Sequence, residues 1–129
     1  MKIGIEAQRI FRINPHGMDI FAIELINGLS HIPEIEHIVV FVNSESIREG
    51  VLHRNSKLTI VARKASYAIW EQILLPRLVK SYDLDVVHFT SNTRSLRISI
   101  PTLTTLHDII FFDHHLLFKV GYSWYQGFG

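Results

Sequence analysis

The run Ile38-Val39-Val40-Phe41-Val42 is apolar at five successive positions. Neighbouring side chains of a strand point to opposite faces, so a strand apolar at every position must be covered on both. Sheets with one wet face alternate instead. The segment His37 to Asn43 therefore predicts an inner strand of a parallel sheet with helices above and below it.

The flanking segments supply the rest of such a sheet. Lys2 to Ala7 is a short β-type run holding Ile3 and Ile5, and it ends in Gln8-Arg9 before a loop containing Asn14-Pro15-His16-Gly17. From Met18 onward, Phe21, Ala22, Leu25, Ile26, Leu29 and Ile32 recur at helical spacing until Pro33, and Asp19 sits in the first turn, where a carboxylate suits the helix dipole. Leu58-Thr59-Ile60-Val61 is a third strand, rich in β-branched residues. Ser66 offers an N-cap to a second helix that carries Ile69, Trp70, Ile73, Leu74 and Leu78 and reaches Tyr82. Trp70 reads as core, and Glu71 as either solvated or facing a crevice. Pro76 falls inside this helix; a mid-helix proline costs ~3 kcal/mol and predicts a kink or break near Gln72 to Leu75. Asp85 to Phe89 is a fourth strand that opens into Thr90-Ser91-Asn92-Thr93, and Pro101 introduces a fifth, Thr102 to Leu106, which runs into His107-Asp108. The alternation is that of an α/β fold, a Rossmann-like doubly wound parallel sheet with right-handed crossovers.

Composition narrows the function. The 129 residues are 47% hydrophobic and 19% charged, which suits one packed domain over residues 1–129. With 13 Lys and Arg against 12 Asp and Glu, the net charge of +1 gives no global attraction to nucleic acid or to a membrane surface. The absence of cysteine excludes disulfides, thiolate metal sites and cysteine nucleophiles. No apolar run approaches the ~18 to 20 residues of an integral membrane segment, and Lys2 and Glu6 come too early for a signal peptide, so the reading is cytoplasmic. The tail Leu116 to Gly129 carries Phe118, Tyr122, Trp124, Tyr125 and Phe128. An aromatic end is unlike an ordinary polar terminus and suggests a chain cut from a longer protein.

In an open α/β sheet the ligand crevice lies beyond the carboxyl ends of the strands. The loops there offer Gln8, Arg9, His16, Gly17, Met18, Asp19, Thr90, Ser91, Asn92, His107 and Asp108. Gly17, at a helix start, would let backbone N–H groups approach a phosphate, or else simply caps the helix; the G-x-G-x-x-G dinucleotide fingerprint is absent. His107 ends a strand beside Asp108, where an imidazole can serve a reacting oxygen or can simply bond to backbone. Asp108 is then its orienting partner or an N-cap. Taking His107-Asp108 with Asp113-His114-His115 as a metal centre is disfavoured, because a strand precedes the pair and adjacent histidines point apart. Arg63-Lys64 stands where a receiver domain would need its aspartate, and Ser91 lacks a Gly-x-Ser-x-Gly context.

Several stretches in order resemble the N-terminal half of retaining GT-B glycosyltransferases of the family-4 (group 1) type. They are Ile3-Gly4-Ile5-Glu6-Ala7-Gln8-Arg9, His16-Gly17-Met18-Asp19 leading to Glu24-Leu25-Ile26, Trp70-Glu71-Gln72 with Leu75-Pro76, Asp85 to Thr90 followed by Ser91-Asn92-Thr93, Pro101 to Ile110, and Trp124-Tyr125-Gln126 with Phe128-Gly129. The resemblance implies an incomplete GT-B fold, with this chain as the acceptor-side domain and the donor-binding domain elsewhere. It implies a nucleotide-sugar donor and a glycan or lipid-linked acceptor, no cofactor and no metal, at the inner face of a membrane in some relatives. By the same resemblance His107 contacts the transferred sugar as the catalytic residue, Gly17 and Met18 face the donor diphosphate, and Thr90, Ser91, Asn92 and Asp108 line the acceptor side. Many relatives have Gly-Gly where this chain has Gly17-Met18. The basic residues and E-x7-E glutamates that hold the leaving diphosphate belong to the second domain, so the 129 residues alone are expected to be inactive. The competing expectation is a non-catalytic α/β binding module, or one that self-associates through uncovered apolar faces.

Overall fold

The computed structural model describes residues 1–91 and 93–106. Five strands, β1 (Lys2–Glu6), β2 (His37–Asn43), β3 (Leu58–Arg63), β4 (Val86–Phe89) and β5 (Thr102–Thr104), form one sheet in the order β3-β2-β1-β4-β5. Every pairing is parallel. The chain winds outward from β1 in one direction and then the other, which is the Rossmann-like arrangement that the continuous apolar run in β2 predicts.

That run divides its side chains between two cores. Ile38, Val40 and Val42 join Ile3 and Ile5 under α1 (Gly17–Leu29), where Ala22 and Ile26 meet them. Val39 and Phe41 face the other way and pack with Val87, Phe89, Trp70, Leu75 and Val79. Burying a large apolar side chain is worth ~1.5 to 3 kcal/mol, so both helical layers are held chiefly by contact with the sheet.

Gly4 makes the second core possible. It sits on the central strand opposite Val39 and Val87. A Cβ there would lie 2.7 Å from Leu84 Cδ1 and 3.2 and 3.3 Å from Phe41 and Val87. The neighbouring side chains fill the space that any larger residue would need.

The second helix is irregular where Pro76 predicts a kink or break, although it does not break. Its segments are contiguous: α2 (Tyr67–Ile69) passes into a π turn (Trp70–Leu74) and then α3 (Leu75–Lys80). The Leu75 N–H reaches back five residues to the Trp70 carbonyl. This wider turn, immediately before Pro76, relieves the clash that the proline ring would have with the Gln72 carbonyl in an α-helix. β3 runs two residues past the predicted Val61, because Ala62 and Arg63 pair with Val42 and Asn43. β5 is shorter than predicted, pairing with β4 only over Thr102–Thr104. Among the described residues no helix is long and apolar enough to cross a membrane.

Candidate functional site

Beyond the carboxyl ends of β1, β2 and β3 lies an open cleft of about 860 Å³. The loop after β1 contributes Gln8, Arg9 and Arg12; the loop after β2 contributes Asn43, Ser44 and Ser46; the loop after β3 contributes Lys64, Ser66 and Tyr67. Backbone bonds extend the sheet into these loops, from Ala7 N–H to the Phe41 carbonyl and from Asn43 N–H to the Gln8 carbonyl. The Asn43 amide grips both backbone groups of Ala65, with its Nδ2 donating to the carbonyl at 3.0 Å and its Oδ1 accepting from the N–H at 2.9 Å. Lys64 and Ser66, on either side of Ala65, are thereby fixed relative to β2.

The start of α1 forms an adjoining recess, lined in part by Met18, Asp19 and Ser91. Asp19 accepts from the His16 backbone N–H at 2.7 Å and from Arg12 Nε at 2.6 Å. One nearly buried carboxylate thus caps the helix and neutralises Arg12.

Beneath the cleft is a buried polar layer. Glu6, Gln8, Glu71, Thr90 and Thr93 are all inaccessible to solvent or nearly so. Gln8 Nε2 donates to Glu6 Oε2 at 3.2 Å, and Thr93 Oγ1 donates to Glu71 Oε2 at 2.7 Å. Tyr67 Oη lies 2.9 Å from Thr93 Oγ1. With the single Thr93 hydrogen given to Glu71, the Tyr67 phenol is the donor in that contact. The Arg9 guanidinium sits over the Tyr67 ring, 5.5 Å from its centre. The cleft wall is therefore bonded, through Tyr67 and Thr93, to a carboxylate in the core.

Burial raises the Glu6 carboxyl from 4.5 to about 8, and the neighbouring Glu71 charge adds to the effect; Gln8, Trp70 and Arg9 pull it partly back. The Trp70 indole approaches this carboxyl, yet neither Trp70 Nε1 nor Glu6 Oε1 makes a well-formed hydrogen bond. At neutral pH Glu6 is consequently protonated.

Of the residues singled out in the sequence, the structure brings Gln8, Arg9, Met18, Asp19 and Ser91 to the cleft and its recess. Gly17 is exposed at the start of α1, and a Cβ there would meet nothing within 4 Å. Thr90 is fully buried and donates to the Glu6 carbonyl at 2.8 Å, so its hydroxyl ties β4 to β1. Trp70 is core, as its helix position predicts. Glu71 is fully buried, which corrects its expected place in solvent or on the crevice wall: the π turn begins at Trp70 and both residues enter the core together. Asn92, His107, Asp108 and the 113–115 acidic and histidine cluster lie outside the described residues. Among the described residues no three His, Asp or Glu side chains group as a metal site.

Sequence reasoning missed Asn43, Ser44, Lys64, Ser66 and Tyr67. The rule that selected the loops after β1, β4 and β5 applies equally to those after β2 and β3, and it would have found them. Comparison with protein-family models, with curated proteins and with solved structures gave no match to this chain.

Proposed function

We propose that this chain forms the acceptor-side half of a retaining GT-B glycosyltransferase, which moves a sugar from a nucleotide-sugar to a glycan or lipid-linked acceptor. The observation that carries the reading is the open polar cleft at the carboxyl ends of β1, β2 and β3 in an all-parallel sheet, where such folds hold their ligands. The ordered resemblance of residues 3–9, 16–26, 70–76 and 85–93 to that family supports it. Fold likeness alone would leave the chemistry open.

In this account the cleft binds and orients the acceptor, while a second domain grips the diphosphate. Retention follows from front-face attack. The acceptor oxygen bonds to the anomeric carbon on the face the nucleotide leaves, the bond to the leaving phosphate breaks, and that phosphate takes the acceptor's proton. His107 supports the transferred sugar beside the reacting carbon, and Gly17 and Met18 face the donor diphosphate. The test is a transfer assay with a panel of nucleotide-sugars, run on the product of the complete reading frame and on the 129 residues alone. Turnover by the former with retained anomeric configuration supports the proposal. Turnover by the 129 residues alone, or a trapped covalent glycosyl-enzyme, contradicts it.

One observation favours a second reading, a non-catalytic α/β binding module. Thr90, expected on the acceptor side, has its hydroxyl committed to the fold. A module of this kind would bind in the same cleft without transferring anything from any nucleotide-sugar.

A further inference from the structure

The cleft carries two cations that no salt bridge among the described residues engages. Arg12 is neutralised by Asp19. Arg9 and Lys64 are both exposed on the cleft wall, and no salt bridge among the described residues engages either of them. Arg9 lies over Tyr67, a cation–π contact that does not consume its N–H donors. Glu6, whose carboxyl feels the Arg9 charge, is buried beneath the cleft and held protonated at neutral pH, so it does not compensate that charge. Glu45 is the one carboxylate among the residues lining the main cleft, and it is exposed.

Hydroxyls share the cleft with these cations. Ser44, Ser46, Ser66 and Tyr67 all line it; the Ser44 hydroxyl donates to the Ser46 carbonyl and the Tyr67 phenol to Thr93, whereas Ser66 makes no side-chain bond to the helix that it precedes. Asn43 holds the Lys64 loop against β2, so the two cations face one space from loops that are braced to the sheet. A volume of about 860 Å³ admits a group of sugar-phosphate size. A single carboxylate is satisfied by one Arg fork; two cations from separate loops, with the Ser46 and Ser66 hydroxyls beside them, suit the greater charge and three acceptor oxygens of a phosphate monoester.

We propose that this cleft binds a phosphorylated ligand, with its phosphate held between Arg9 on the β1 loop and Lys64 on the β3 loop. Taken as the acceptor's chemistry, this rests on the transferase reading and makes the acceptor a phosphate-bearing molecule. Taken as an anion site, it stands without that reading.

Titration of the 129-residue chain with inorganic phosphate, followed by backbone amide NMR, tests it without any turnover. Saturable shifts centred on Ser44, Lys64, Ser66 and Tyr67 are expected. Lys64→Ala and Arg9→Ala should each weaken binding by about tenfold, the scale of one charge-assisted contact. Arg9→Lys keeps the charge and should recover part of the loss. Glu45→Gln should tighten binding. Arg77→Ala removes a charge from the exposed side of α3, outside the cleft, and should change nothing. Parallel titrations with glucose 1-phosphate and with phosphatidylcholine vesicles containing phosphatidate identify the source as a soluble metabolite or a lipid headgroup, and binding to either sustains the proposal. No saturable shift with any phosphate probe overturns it. So does equal binding of acetate, or a loss with Arg77→Ala as large as that with Lys64→Ala. Phosphate binding in the cleft together with failed sugar transfer would remove the transferase reading and leave the anion site standing.

Discussion

The Thr93 hydroxyl donates to the Glu71 carboxylate across 2.7 Å in the middle of the protein, joining the loop after β4 to the π turn. The same oxygen receives the Tyr67 phenol at 2.9 Å. Below the cleft, a packed core therefore contains two carboxyl groups whose protons and partners decide its stability.

Removing the Thr93 hydroxyl without changing side-chain volume isolates this link. Thr93→Val should cost about 1 to 3 kcal/mol, because it withdraws a hydrogen bond from a buried carboxylate. Tyr67→Phe should cost less, about 0.5 to 1.5 kcal/mol, since Thr93 still serves Glu71. Chemical denaturation of each variant beside the parent chain measures both.

Glu6 makes stability depend on pH with a definite sign. Its folded value of about 8 lies above the ordinary 4.5, so between these limits the folded chain keeps a proton that the unfolded chain has released. The contribution is fully present below pH 4.5, declines as the pH climbs, and is lost once the pH passes about 8. The slope should approach at most about 1.4 kcal/mol per pH unit. Denaturation midpoints from pH 5 to 9 should fall in the parent, and Glu6→Gln should flatten that fall. A parent whose stability rises over the range would disprove the assignment.

Gly4→Ala tests the tight approach of β1 to Phe41, Leu84 and Val87. Overfilling a packed core costs typically about 1 to 3 kcal/mol. Ala at Gly17, where a Cβ meets nothing, serves as the control and should leave the melting temperature nearly unchanged.

Asp19→Ala removes a helix cap and leaves Arg12 without its acid. A loss on the order of 2 kcal/mol is expected, together with exposure of the α1 N-terminus to hydrogen exchange. Asp19→Asn retains the acceptor for the His16 N–H, so it should recover part of the loss and separate the cap from the ion pair.

The fold was legible where the determinants were local. The two-faced run of β2, the helical spacing of Ala22 and Ile26, and the polar residues that end β1 and β4 each follow from periodicity within a short window. The site was less so. A proline inside a helix can kink it, break it or widen a turn, and the sequence around Pro76 does not distinguish these outcomes. Glu71 carries a charge that its helical position alone would send towards water; its hydroxyl partner Thr93 is 22 residues away. Asn43 reads as a strand end, Lys64 as a loop residue and Ser66 as a helix cap until the parallel order of β1, β2 and β3 brings them to one edge.

The most direct measurement is the steady-state kinetics of sugar transfer by the complete reading-frame product, with KM for acceptor and donor determined separately in the parent and in Lys64→Ala. The account expects retained anomeric configuration, a raised acceptor KM in the variant and an unchanged donor KM. Absence of transfer from every nucleotide-sugar, inversion at the anomeric carbon, or an effect confined to the donor KM would contradict it.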